Sequence, residues 1–307
     1  SVSPSFGATA VPKEPDADVN FAQPWTYTDE KQLFGVVRAE YDITKAVSVW
    51  GAFGMRDGKE KNVLANPSSD ANGVMTAYRF DNAREDSVSS GEVGLRWDFA
   101  TGPIEHRVIA SASLFKIDSK NAYAFSDFFD PFTTDLYHPV DAVKPPADFF
   151  TGGSLNNPHK TFSTDTSSWA LADVLKFADG KVMVTLGLRD QKLKADSFDY
   201  NSGDKISSYD KSKTTPVAGI VFRPSDQWSI FANYIEGLVA GDVAPTVGPG
   251  GGTVVNAGQV QDPYQAKQFE AGVKFDAGSF GGGLSIFNIE KASGILEALT
   301  PSDPDTD

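Results

Sequence analysis

The sequence predicts an all-β fold, an antiparallel transmembrane β-barrel wall, on three observations. Short stretches alternate apolar and polar residues with a period of two, which only an extended strand produces. Helical patterning is scarce among the 307 residues, whereas glycine (28) and phenylalanine (22) are plentiful. Short turns alternate with long polar stretches, an asymmetry that bacterial outer-membrane barrels build from periplasmic turns and extracellular loops. About ten strands are expected, each of roughly 9 to 15 residues, the length a tilted strand needs to cross a bilayer.

Residues 1–31 read as a loop segment leading into five hairpins over 32–293. The first, between Gln32 and Lys61, turns at "DITK", where Asp, Thr and Lys supply turn chemistry. A long polar stretch follows. The second contains "EVGLRWDF", in which Val93, Leu95, Trp97 and Phe99 alternate with Glu92, Gly94, Arg96 and Asp98, and it turns at "ATGPI". The longest stretch, from Asn121 to about Asp165, comes next. The third hairpin turns at "ADG", after which Val182, Val184, Leu186 and Leu188 alternate with Met183, Thr185, Gly187 and Arg189. The fourth turns at "RPSDQ", with Pro224 fitting a turn's second position. The fifth begins with "KQFEAGVKFD", where Phe269, Ala271, Val273 and Phe275 oppose Gln268, Glu270, Gly272 and Lys274, and turns at "DAGSFG". Two strands, "SWALADVLKF" and "LSIFNIEK", carry apolar residues on both faces, so their lipid side stays open. Residues 294–307 read as a truncated extracellular loop.

Alternation alone suits any half-exposed antiparallel sheet. The regular exchange of turns and loops favours the barrel, because a compact soluble domain seldom carries several loops beyond about 15 residues. Net charge of -14 excludes a nucleic-acid binder, which needs clustered Lys and Arg. Without cysteine there is no thiol chemistry and no disulfide framework. No run approaches the roughly 18 apolar residues of a membrane helix, which leaves barrels untouched. The opening "SVSPSFGATAVPKEPDADVN" has no basic region followed by an apolar stretch, so an exported protein would need a beginning this chain lacks.

Catalytic and metal signatures are missing. His106, His138 and His159 lie far apart without metal-site spacing. "GPGGGT" (248–253) has no following Lys or helix pattern for a phosphate loop, and the tail "SDPDTD" lacks the twelve-position calcium pattern. No nucleophile elbow occurs. The expectation is a protein that is not an enzyme and holds no cofactor.

The segments "YIEGLVAGDVAP" and "NAGQVQDPYQAKQFEAGVKFD" resemble the barrel of TonB-dependent siderophore receptors. "GEVGLRWDFATGPIEHRV", "SWALADVLKFADGKVMVTLGLR" and "TPVAGIVFRPSDQWSIFANY" are similar to successive hairpins of that family, particularly its ferrichrome or hydroxamate branch. The resemblance implies a portion of a barrel of about 22 strands, with the plug domain and the C-terminal strands absent. An open ten-strand sheet would leave two unpaired edges, so a fragment of a larger wall is expected in preference to a closed ten-strand barrel. It further implies an outer-membrane receptor and active transporter of a ferric siderophore, of the hydroxamate class by this resemblance, with iron present only as part of that substrate. Its partners would be outer-membrane lipid and the TonB complex, reached through the missing plug. The alternatives are a passive porin or structural barrel, and a soluble β-rich binding protein.

Aromatic residues of the longest stretch, Tyr123, Phe125, Phe128, Phe129, Phe132 and Tyr137, must pack on something. The resemblance gives them, and Tyr209, a ligand-binding reading; a lid packed on neighbouring loops or an interfacial girdle is the alternative. Trp97, Trp169 and Trp228 suit an interface or burial among strands. Arg38, Glu40, Arg96, Asp98, Arg189, Arg223, Glu270 and Lys274 are expected on the lumen side, where the resemblance has them face a plug through charge-assisted hydrogen bonds.

Overall fold

The computed structural model describes residues 3–5, 10–242, 244–245, 247–248, 252 and 254–294. The proposed terminal loop beyond Gly294, its acidic tail, and most of "GPGGGT" lie outside the described residues. Thirteen strands form one sheet: β1 (Ser3–Pro4), β2 (Tyr27–Asp42), β3 (Val47–Ser69), β4 (Val74–Thr101), β5 (Ile104–Phe125), β6 (Phe132–Asp135), β7 (Phe150–Gly152), β8 (His159–Phe177), β9 (Val182–Phe198), β10 (Lys205–Ser225), β11 (Trp228–Val239), β12 (Tyr264–Asp276) and β13 (Gly281–Lys291). The ten long strands form an antiparallel meander in chain order, from β2 at one edge to β13 at the other. Among the described residues the sheet does not close: β2 pairs only with β3, and β13 only with β12.

All five predicted hairpins are present, joined at one end by 43–46, 102–103, 178–181, 226–227 and 277–280. The "ADG" turn places Ala178, Asp179 and Gly180 in the left-handed region, at φ of 51°, 56° and 79°; glycine adopts it freely and Asp tolerates it. The opposite end holds the long connections, 126–158 and 240–263. Two polar stretches there become strand. β3 and β4 run on to a turn at 70–73, and β9 and β10 to one at 199–204. Seven of the ten long strands therefore run 16 to 28 residues, beyond the 9 to 15 expected, whereas β11, β12 and β13 have 12, 13 and 11, within it; β2 starts at Tyr27, ahead of Gln32. An antiparallel neighbour satisfies every backbone group whatever the side chains, so a ladder continues past the apolar residues into water.

Register assigns the faces. Val93, Leu95 and Trp97 of β4 share a face with their partners Gly51, Val49 and Val47 and with Ala112, Ala110 and Val108 of β5. The same face carries Leu171 and Trp169 of β8, then Leu188, Leu186 and Val184 of β9. It continues through Phe222, Ile220 and Ala218 to Ile230, Ala232 and Tyr234, and to Val273, Ala271 and Phe269. The two ambiguous strands are thereby fixed: Trp169, Leu171 and Leu175 face this side, as do Leu284 and Ile286. On β4 the apolar run from Phe99 to Gly91 spans roughly 26 Å of strand, matching the apolar band of about 25 Å around outer-membrane barrels. Above it the same face turns charged. Trp97, Trp169 and Trp228 all point outward here, exposed by 47%, 53% and 44%, and Trp97 packs on Phe99, Trp228 on Phe275, near the short turns.

Candidate functional site: the polar face and its aromatic rim

The other face collects the predicted lumen residues. Arg38 and Glu40 pair with Ala52 and Trp50, which lie opposite Glu92 and Gly94; Arg96 and Asp98 follow on the same side of β4. Successive registers bring Arg189, then Glu270 and Lys274, onto that face too. The seven therefore line one surface of the sheet.

Their interactions divide them into two groups. Arg96 reaches Glu40 at 3.1 Å, and Arg38 reaches the other oxygen of Glu40 at 3.3 Å. Arg96 also lies 5.6 Å from the Trp50 ring, whose indole N–H donates to Glu92 at 2.5 Å. Arg107, which sequence reasoning missed, donates from Nε and Nη2 to the two oxygens of Asp98 at 2.7 and 3.0 Å. It lies three residues past the predicted "ATGPI" turn, and only the β4–β5 register places it opposite Asp98. Arg189, Glu270 and Lys274 make no ion pair among the described residues. Arg189 donates to Ser168 at 3.0 Å, Glu270 accepts from Asn233 at 3.4 Å, and Lys274 sits 5.2 Å from the Phe231 ring. Lys274, Glu270 and Arg223 border a hollow of about 640 Å³ on this face.

At the long-loop end the polar face becomes aromatic. Tyr78 and Phe80 of β4 and Tyr123 and Phe125 of β5 stand on it, and β7 adds Phe150 opposite Phe125. Phe80 and Phe125 are 4.7 Å apart, Tyr123 and Phe150 5.8 Å. The loop contributes Phe128, 6.5 Å from Phe125, and Phe149, 5.2 Å from Phe128. From the 199–204 turn, Tyr200 meets Tyr123 edge-on at 5.1 Å. These spacings suit offset and edge-to-face aromatic contacts. Phe129 caps the cluster, 81% exposed.

The other aromatic candidates lie apart. Tyr137 donates its hydroxyl to the Lys13 carbonyl at 2.9 Å, tying the N-terminal segment to the loop. Phe132 packs on Trp25, whose indole donates to the Ala142 carbonyl. Tyr209 is buried, with its hydroxyl unpartnered among the described residues. Sequence reasoning did not single out Tyr78, Phe80, Phe149, Phe150 or Tyr200. The paired "FF" at 149–150 was a visible signal, an apolar doublet in a polar stretch; the others are joined only by register.

The scaffold of this rim is polar. Arg79 grips Asp81 at 2.8 and 2.5 Å and donates to the Pro145 carbonyl at 2.8 Å. Gln23 bridges Val140 and Ala142. In the loop, the carboxylate of Asp135 accepts the backbone N–H groups of His138 and Tyr137, which hold it below the usual carboxylate range. Asp199 does the same with Ser202 and Asn201 in the 199–204 turn.

Residues 3–307 match the family described as TonB dependent receptor-like, beta-barrel. The ferrichrome receptor FcuA of Yersinia enterocolitica is 34% identical over 295 residues, which cover 96% of this chain and 38% of the relative. The crystal structure of BauA, the ferric preacinetobactin receptor from Acinetobacter baumannii, superposes with a TM-score of 0.80 at 31% identity, over 94% of this chain and 41% of that one. The E. coli ferric-catecholate import receptor Fiu, at 14% identity and a TM-score of 0.69, shares the fold. The chain thus spans about two fifths of the length of the relatives it matches.

Proposed function

Because this chain belongs to the TonB-dependent receptor β-barrel family of the bacterial outer membrane, we propose that it supplies part of the wall of a receptor that imports a ferric siderophore. The substrate class is a ferric hydroxamate. The observation that carries this reading is the aromatic rim on the polar face, at the end of the sheet where the loops are long. Three hydroxamates balance the charge of Fe³⁺ and leave a neutral complex with apolar flanks. Tyr123, Phe125, Phe128 and Phe150 offer such a complex contact area at low entropic cost, and Tyr200 adds a hydroxyl. The similarity to a ferrichrome receptor supports the same class.

The paired charges Arg38, Glu40, Arg96, Asp98 and Arg107 stiffen the wall. Arg189, Glu270 and Lys274, not engaged in ion pairs among the described residues, would hold the plug that TonB acts on. Iron enters only within the chelate, and the wall performs no chemistry on it.

The test is binding and uptake of radiolabelled ferric trihydroxamate by the complete receptor in iron-limited cells. Tyr123→Ala with Phe125→Ala should weaken binding at least tenfold while leaving the amount of receptor in the membrane unchanged. A receptor that keeps wild-type affinity after both changes would remove the rim from the recognition surface. Preference for a triply anionic ferric catecholate would overturn the substrate class.

A further inference from the structure

We infer that residues 10–26 are a strap that latches the middle of the longest loop, and that strap and loop release together while the wall below stays intact. The two segments are far apart in sequence and meet through specific groups. The Tyr137 hydroxyl donates to the Lys13 carbonyl at 2.9 Å. The Gln23 side-chain amide donates from Nε2 to the Val140 carbonyl at 3.1 Å and accepts the Ala142 N–H at 2.7 Å. Gln23 thereby makes with 140 and 142 the pair of bonds that a parallel strand makes through its backbone, and it is only 3% exposed. The Trp25 indole adds a bond to the Ala142 carbonyl at 3.1 Å, and its ring meets Phe132 edge-on at 6.0 Å. The sequence builds this presentation: Pro24 takes the second position of a turn in which the Thr26 N–H and hydroxyl donate to the Gln23 carbonyl at 3.0 and 2.7 Å. Pro12 and Pro15 restrict the released strap and so lower the entropic cost of latching it.

The kind of contact distinguishes this segment from the wall. Wall strands are joined by continuous ladders, whereas 10–26 belongs to no strand and holds the loop through side chains, with Gln23 its one buried residue. Segments with so little buried contact open locally at low free energy. The strap's own turn bonds, Val19 to Asp16 and Thr26 to Gln23, lie within it and survive release. On the loop side the latched run is already folded to receive it: the Thr134 hydroxyl accepts the Val140 N–H at 2.9 Å and donates to the Val140 carbonyl at 3.1 Å. That run lies between the two arms that bring Phe128 and Phe149 to the aromatic rim. A segment encoded ahead of β2 therefore sets where those arms stand, whatever the receptor imports.

The experiment uses the complete receptor in detergent and reads the two segments separately. Trypsin cleavage after Lys13, followed by mass spectrometry as a new N-terminus at Glu14, reports the strap, because the protease needs the carbonyl that Tyr137 holds; such cleavage tracks the open population. Hydrogen exchange at Tyr137 and His138, whose N–H groups are bound by Asp135 and not by the strap, reports the loop. Each net hydrogen bond is worth about fivefold in an equilibrium. Gln23→Met removes two and should raise both rates about 25-fold, with exchange of β4 and β5 inside the apolar band unchanged. Tyr137→Phe keeps the ring and should raise both about fivefold; it applies the same test if Gln23→Met fails to assemble. A rise in one readout without the other overturns the proposal, because the contacts would then break independently. So does a rise below threefold in Gln23→Met, or an unchanged Tyr137→Phe where that variant stands alone.

Discussion

Arg79→Met tests how the longest loop is held over the aromatic rim. Arg79 is the junction of that loop: its backbone N–H donates to the Ser126 hydroxyl, its carbonyl accepts from the Ser126 N–H, and its guanidinium joins Asp81 to the Pro145 carbonyl. The side chains of Arg79 and Asp81 are only 16% and 9% exposed. Removing the cation leaves a carboxylate that water reaches poorly. Breaking a buried pair from one side costs about 3–5 kcal/mol, and the partial exposure here argues for about 3 kcal/mol. At roughly 1.4 kcal/mol per tenfold, that raises the open population of the loop about 150-fold, up to the limit set by local unfolding. Hydrogen exchange of residues 126–149 in the complete receptor reads this directly. Loss of protection should be confined to this loop and the tips of β4 and β5. The double variant Arg79→Met with Asp81→Leu should recover much of it, because the orphaned charge is gone. If Arg79→Met changes exchange by less than threefold, or the double variant is worse than the single, the ion pair is not what anchors the loop.

Gly94→Ala should destabilise the wall by about 1–3 kcal/mol, read as a lower urea midpoint, because a methyl there meets the Trp50 ring and would displace it from Glu92. Leu186→Arg places a charge on the apolar face and should cost about 2–4 kcal/mol near the midplane; Arg189→Leu, on the polar face, should cost less in the same assay. Asp199 gives a pH dependence: its folded pKa is lowered by the Ser202 and Asn201 N–H groups, so its contribution is present above the unfolded value of about 3.9 and is lost as pH falls through the lower folded value. Exchange at Asn201 and Ser202 should therefore be independent of pH-linked opening near neutrality and rise in wild type, but not in Asp199→Ala, as the turn acidifies.

Hairpins were legible because each carries its own turn chemistry and a two-residue period, both local properties. β4 shows this: Val93 to Phe99 reads as one face without any partner. Strand ends were not legible where polar residues continue the ladder, as in β3 from Asn62 to Ser69, since solvated strand and solvated loop have the same composition. β8 and β13 needed their neighbours, because apolar residues on both sides of a strand leave its phase to the register alone. The charged side of the candidate site followed from phase and was readable. Its aromatic side was only half readable: Tyr123 and Phe125 stood out in the sequence, but Tyr78, Phe80 and Tyr200 meet them from other strands and another turn.

Asp173 is the one acid set among the apolar residues of β8 on the outward face, with Val108 and Leu186 as its cross-strand neighbours. Its environment explains how it is accommodated there. His106 Nδ1 lies 2.7 Å from one Asp173 oxygen, His106 Nε2 lies 2.7 Å from the Thr101 hydroxyl, and the imidazole stacks on Phe99 at 4.7 Å and 4°. A carboxylate only accepts, so Nδ1 carries a proton in this pair, and the Thr101 hydroxyl can serve Nε2 as donor or acceptor. The ring thus satisfies polar groups on both sides while Phe99 shields its face. Asp173 keeps one oxygen buried without a partner, so this arrangement is less favourable than an apolar pair would be. Leu175 and Phe177 separate it from the 178–181 turn and its cross-strand neighbour Leu186 stands at the same level, so the His106 contact is what accommodates an acid inside the apolar band.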